Sequence, residues 1–124
     1  MPPASYRILI VDDEPLIRRL FVRNFSRKGF QVLSAPDGKE ALETIRRERP
    51  DLVVLDVRMP VMDGIEVLQS FAKANQKMTI IVLTAYDDFQ PRAAELGAVE
   101  CITKPFDLDY LETRIMTHLM MKPA

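Results

Sequence analysis

Cysteine is nearly missing from this chain, Cys101 being the single one. One cysteine excludes an internal disulfide and fits a reducing compartment. Histidine is equally scarce. His118 stands alone and far along the chain from Cys101, which disfavours a zinc site. An excess of one charge is lacking too: 17 Lys and Arg against 18 Asp and Glu leave a net charge of −1. No bulk electrostatic case for nucleic acid or an anionic membrane follows from that balance. No apolar run approaches the ~20 residues that span a bilayer. The opening "MPPASYR" has no apolar h-region and the first apolar run stops at "DDE", so it does not read as a signal peptide. Low-complexity segments and an obvious internal linker are also absent. What is present is an ordinary composition, 48% hydrophobic and 28% charged over 124 residues. Residues 1–124 are expected to form one cytoplasmic domain, standing alone or as the N-terminal part of a longer protein. At this length roughly 65% of the unfolded chain's surface can be buried, enough for a core without staples.

Five short apolar runs rich in Val and Ile read as strands: 7–11, 30–35, 51–56, 79–84 and 99–103. Segments of helical period lie between them. Pro15 suits a first helical position, Ile17, Phe21 and Phe25 form one stripe, and Gly29 suits a stop. Arg19, Arg23 and Arg27 fall on the opposite face, read as a solvated face in preference to a docking surface. Asp37 is placed to cap a second helix that ends before Pro50, and Asp63-Gly64 to open a third. A fourth runs from about Asp88 to Leu96 and stops at Gly97; a fifth follows Asp107. His118 rides on this last helix as a solvated or packing residue, and methionines 116, 120 and 121 as core residues or as a sticky end left by an absent downstream segment. Alternating strands and helices predict an α/β fold with a parallel sheet covered on both faces. The second and fifth runs are the least apolar and suit the edges. The expectation is a flavodoxin-like, doubly wound (βα)5 domain with a five-stranded sheet in the order 2-1-3-4-5.

In such a sheet ligands bind beyond the carboxyl ends of the strands, near the switch between strands one and three. Strand one delivers Asp12, Asp13 and Glu14 there; strand three delivers Asp56 in "LVVLDVRMP"; strand four delivers Thr84; strand five delivers Lys104 and Pro105. Any one of these is unremarkable, since acids before a helix often only complement its dipole. Together they are expected to converge. Two carboxylates ~4 Å apart repel by about 4 kcal/mol at an effective dielectric near 20, so the group needs a neutralising cation. An all-oxygen site suits Mg²⁺, Mn²⁺ or Ca²⁺. Carboxylates, cation, ammonium and hydroxyl together suit a transferring phosphoryl group, with Asp56 the available nucleophile while the strand-one pair holds metal.

The texts "ILIVDDEP", "DLVVLDVRMPVMDG", "IIVLTA" and "ELGAVECITKPF" resemble, in order and spacing, the receiver domain of bacterial two-component response regulators. The resemblance runs from about Arg7 to Leu119. It implies that Asp56 is the phosphoacceptor, that Asp12 and Asp13 hold Mg²⁺ (Mn²⁺ as an alternative), and that the backbone carbonyl of Arg58 completes the metal's ligands. It further implies Thr84 as the switch hydroxyl, Lys104 as partner of the phosphoryl oxygens, and a cis Lys104–Pro105 bond. Arg58 and Tyr86 fall at the variable positions that tune the lifetime of the aspartyl phosphate. One position departs from the pattern: Cys101 stands where the family usually has an aromatic switch residue. The implied partners are a histidine kinase or histidine phosphotransfer protein and a downstream protein, with no nucleic acid or membrane.

Other chemistries fit less well. A haloacid-dehalogenase-like phosphatase also uses a strand-end Asp with Mg²⁺ but wants a second Asp two residues on, where this chain has Arg58. A flavin site should offer hydroxyl or glycine donors in the first loop, which here is acidic. A degenerate, binding-only receiver should have lost some of the phosphorylation residues, and all are present.

Overall fold

The computed structural model describes residues 6–57, 61–73, 78–85 and 89–121, with side chains for all of these but 61–65 and 89–90. Strands β1 (Arg7–Val11), β2 (Gln31–Ala35), β3 (Leu52–Val57), β4 (Ile80–Thr84) and β5 (Ala98–Thr103) alternate with helices α1 (Pro15–Arg27), α2 (Gly38–Glu48), α3 (Val61–Lys73), α4 (Phe89–Glu95) and α5 (Leu108–Met121). The strands form one sheet in the order β2-β1-β3-β4-β5, every pairing parallel. The expected fold and its edge strands are those observed.

Apart from Arg7, Asp56 and Thr84 toward their ends, the central strands are apolar because their alternate residues serve two cores. Leu9, Val11, Val53, Leu55 and Val82 meet Ala41, Ile45, Leu68, Phe71 and Ala93 of α2, α3 and α4. Ile8, Ile10, Val54, Ile81 and Leu83 meet Phe21, Phe25, Leu111, Ile115 and Leu119 of α1 and α5. A period-2 strand between two helical layers must be apolar on both sides.

Local chemistry sets the helix boundaries. Glu14 caps α1 by accepting from the Leu16 N–H at 2.9 Å, and Pro15 follows at the first helical position. Asp37 caps α2 by accepting from the Glu40 N–H at 2.9 Å. Asp107 accepts from the Tyr110 N–H at 2.7 Å at the start of α5. Gly29 and Gly97, just past α1 and α4, have φ of 101° and 102°, a region that favours glycine. The third helix corrects the sequence reading. It begins at Val61, two residues before Asp63-Gly64. A proline directly precedes it in sequence, and proline suits a helix start.

His118 is half-buried rather than solvated, with Nε2 2.7 Å from Glu100 Oε1, and Arg114 Nε donates to both Glu100 oxygens at 2.8 and 3.0 Å. Arg19, Arg23 and Arg27 are exposed, as expected of that face. Met116 packs on the core, whereas Met120 and Met121 are exposed.

Candidate functional site

The carboxyl edge of the sheet is where the acidic residues fall. Asp12 lies one residue beyond the last paired position of β1, and Asp56 is the fifth residue of β3, next to β1 in the sheet. Both are almost fully buried, at 1% and 2% exposure. Asp13 is exposed. All three line one cavity of about 50 Å³, together with Val11, Leu55 and Val67. At about 15 Å³ per water, it has room for roughly three waters or an ion with part of its hydration.

Asp12 is held at three atoms. Its N–H donates to the Ala35 carbonyl at 3.2 Å, its Oδ1 accepts from the Glu14 N–H at 2.9 Å, and its carbonyl accepts from Arg18 Nη1 at 2.8 Å. Asp56 Oδ1 is in direct ion-pair contact with Lys104 Nζ. Asp56 Oδ2 is buried and makes no hydrogen bond among the described residues. A buried carboxylate with one oxygen held and the other unspent is costly unless the site has a use for it.

Lys104 is held at its backbone. Its N–H donates to the Thr84 carbonyl at 2.8 Å, which ties the end of β5 to the end of β4. The Lys104–Pro105 peptide is cis. Thr84 is fully buried and sits in register with Val57, one residue past Asp56. It lies outside the acidic cavity. Cys101 is half-buried, pairs with Val82 and packs on the α2–α4 side of the sheet. Burial pushes its thiol up to about 11, so it is a packing residue rather than a nucleophile. Arg58 and Tyr86 lie outside the described residues.

The three aspartates reach one cavity from two neighbouring strands. Among the described residues no three His, Cys, Asp or Glu side chains are grouped closely enough to form a preformed metal cage. Lys104 already occupies one oxygen of Asp56. The donor set nevertheless fits a hard divalent cation: acidic oxygens only, on one small cavity, with Asp56 Oδ2 unspent. Sequence reasoning missed one member. Asp37, assigned only as a helix cap, also lines the cavity. Its place just after β2, which neighbours β1, was the available signal.

Fold and pocket together define a doubly wound α/β domain with an acid-and-lysine site at its topological switch point. A family model for the response regulator receiver domain matches residues 8–116. The chain belongs to that family. It is 40% identical over 118 residues to sporulation initiation phosphotransferase F of Bacillus subtilis, covering 94% of this chain and 95% of that protein. It is 45% identical over 111 residues to the response regulator MprA of Mycobacterium leprae, covering 88% of this chain and 49% of that one. The chain thus spans nearly all of the first relative and about half the length of the second. Among solved structures, the response regulator TrrA of Thermotoga maritima, in complex with Mg²⁺–BeF, superposes with a TM-score of 0.77 at 36% identity, covering 90% of this chain and 97% of that one. The receiver domain of the Francisella response regulator 1452 does so with a TM-score of 0.83 at 32% identity, covering 93% and 97%. Among the described residues, no helix is long and apolar enough to cross a membrane.

Proposed function

We propose that this receiver domain is a phosphoacceptor module whose Asp56 takes a phosphoryl group from a histidine kinase or histidine phosphotransfer protein. The carrying observation is Asp56 itself: a buried strand-end carboxylate with Oδ1 on Lys104 and Oδ2 without a hydrogen-bond partner among the described residues. In the transfer, a carboxylate oxygen of Asp56 forms a bond to phosphorus while the phosphorus–nitrogen bond of the donor phosphohistidine breaks. The imidazole leaves with that electron pair and takes up a proton. Lys104 offsets charge on the phosphoryl oxygens, and the Thr84 hydroxyl reads the product. Asp12, Asp13, Asp56 and the Arg58 carbonyl would hold Mg²⁺, which when bound neutralises the transferring group's charge. The Mg²⁺–BeF complex of the Thermotoga relative supports Mg²⁺ in this role. Mn²⁺ has the same ligand preferences.

On this reading the chain catalyses only its own phosphorylation and dephosphorylation and acts by changing what it binds, with Arg58 and Tyr86 tuning the lifetime of the phosphoryl group. One domain spans 1–124, in the cytoplasm; the phosphoacceptor chemistry is the same whether the receiver stands alone or heads a longer regulator. Acetyl phosphate with Mg²⁺ should add one phosphoryl group, read by intact mass, and Asp56→Asn should abolish it. Unmodified wild-type protein with Mg²⁺ binding confirmed would sink the proposal.

A further inference from the structure

The carboxylates at the start of α1 all precede its first turn, in Asp12, Asp13 and the capping Glu14, and the turn itself holds no acidic residue and ends at Arg18, with Arg19 next. A cation this close to the positive end of the helix dipole is opposed by it, and Arg18 has a contact that offsets this. Long helical side chains lean toward the helix N-terminus. Arg18, half-buried, follows that lean until Nη1 donates to the Asp12 carbonyl at 2.8 Å. Its neighbour Arg19 is exposed.

The Asp12 carbonyl belongs to the peptide that joins Asp12 to Asp13. Asp12 has its own side-chain restraint, the Glu14 N–H on Oδ1 at 2.9 Å. Asp13 differs: it is exposed, and no hydrogen bond among the described residues fixes its carboxylate. The direction of Asp13 therefore follows the plane of the peptide before it, and Arg18 grips that plane.

We infer that Arg18 is a positioning residue of the phosphoacceptor site: its guanidinium fixes the Asp12–Asp13 peptide and so aims the Asp13 carboxylate at the cavity before a cation arrives. This rests on the phosphoacceptor reading in taking Mg²⁺ as the cation. Two effects of Arg18 have opposite signs. Its positive charge opposes the binding of another cation, whereas its grip on the peptide favours binding by ordering the ligands in advance. Removing the side chain shows which effect wins.

The test is Mg²⁺ affinity of the full chain by isothermal titration calorimetry, for wild type, Arg18→Met, Arg18→Lys and, as a control, Arg19→Met. Arg18→Met should weaken Mg²⁺ binding about tenfold, the lower end of what loss of an outer partner costs a metal site. Arg18→Lys keeps a charge and a donor and should fall between wild type and Arg18→Met. Arg19→Met should stay within about twofold of wild type, its side chain making no such contact. At saturating Mg²⁺ the acetyl phosphate reaction of Arg18→Met should recover its rate, placing the defect in cation binding. Unchanged or tighter binding by Arg18→Met, or a Lys variant no better than Met, overturns the assignment. If Arg18→Met does not fold, Arg18→Gln, polar but too short to keep the contact, is read by the same criterion. Wild type that binds no Mg²⁺ defeats the phosphoacceptor reading itself. Wild-type binding with indifferent Arg18 variants defeats only the role of Arg18.

Discussion

Replacing Lys104 by Met tests how the acidic site is held together in the absence of metal. The ion pair is unequal: the Asp56 side chain is 1% exposed and that of Lys104 is 23% exposed. Losing one partner of a buried pair costs about 3–5 kcal/mol, because the remaining charge stays buried without compensation. The partial exposure of Lys104 puts the expected loss for Lys104→Met near the bottom of that range, about 3 kcal/mol. For a domain of this size, with an unfolding entropy of about 2.1 cal/mol/K per residue, that is a fall in melting temperature of about 10 °C. Asp56→Asn should behave differently. It removes the buried charge and leaves an ammonium that can turn toward water along its own stem. Its expected effect is within about 1 kcal/mol, the size of an ordinary substitution, and stabilising if carboxylate crowding dominates.

The assay is thermal and urea unfolding in chelator-treated buffer, with the urea slope confirming that the unfolding transition keeps its character. Millimolar Mg²⁺ should then restore much of what Lys104→Met loses, since a cation present at 100 times its dissociation constant stabilises by about 2.7 kcal/mol. Equal losses for the two substitutions, or the larger loss for Asp56→Asn, would refute the claim that burial asymmetry governs this pair.

Two further outcomes are expected. Asp13→Asn removes one of the cavity's carboxylates, so in metal-free buffer it should raise the melting temperature by a few degrees, corresponding to about 1 kcal/mol; with millimolar Mg²⁺ wild type should gain stability and the variant less, and identical responses would show that Asp13 is no ligand. The Cys101 thiol, held up to about 11 against an ordinary 9.0 by burial, should alkylate slowly at pH 8 in the folded protein and quickly in urea. Between pH 9 and 11 the unfolded chain gives up this proton while the folded chain keeps it, so stability should fall as pH rises through that window. Cys101→Ala should lack that part of the fall, as read from urea midpoints.

The sheet was legible because its signals are redundant. A run such as "LVVLDV" cannot face water on either side, so the sequence predicts both the strand and the two helical layers, and the two core clusters divide Val53 and Leu55 from Leu52 and Val54 accordingly. The acidic edge was legible for a related reason: parallel strands bring their carboxyl ends to one edge, so Asp12, Asp56 and Lys104 could be put together without coordinates. Reach and direction were not legible. The place of Asp37 after β2 puts it at the right edge but does not say that its side chain reaches the cavity, and nothing in residue order says that Arg18 turns back to the strand end. These depend on rotamers and on how far α1 and α2 stand from the sheet edge. The start of α3 was misplaced because Asp-Gly reads as a turn or cap, and a preceding proline can equally begin the helix.

Cys101 shows what a departure from a family pattern does to the physics around a conserved chemistry. In the ladder between β4 and β5, Thr84 pairs with Thr103 and Val82 with Cys101, so Cys101 lies two rungs below the level of Thr84. Residues two apart along a strand point to the same face, so Thr84 and Cys101 share the side on which Ala93 and Leu96 of the α4 region pack. A thiol in that position has no ring to swing between buried and exposed states. A change at Thr84 can still pass along this face, because it is packed against α4 and a packed surface transmits displacement. It can also pass through the backbone, since the Thr84 carbonyl holds the N–H of Lys104, the residue that grips Asp56. On the phosphoacceptor reading, the chemistry would need the carboxylates and Lys104, while its readout would need only that the ends of β4 and β5 move together.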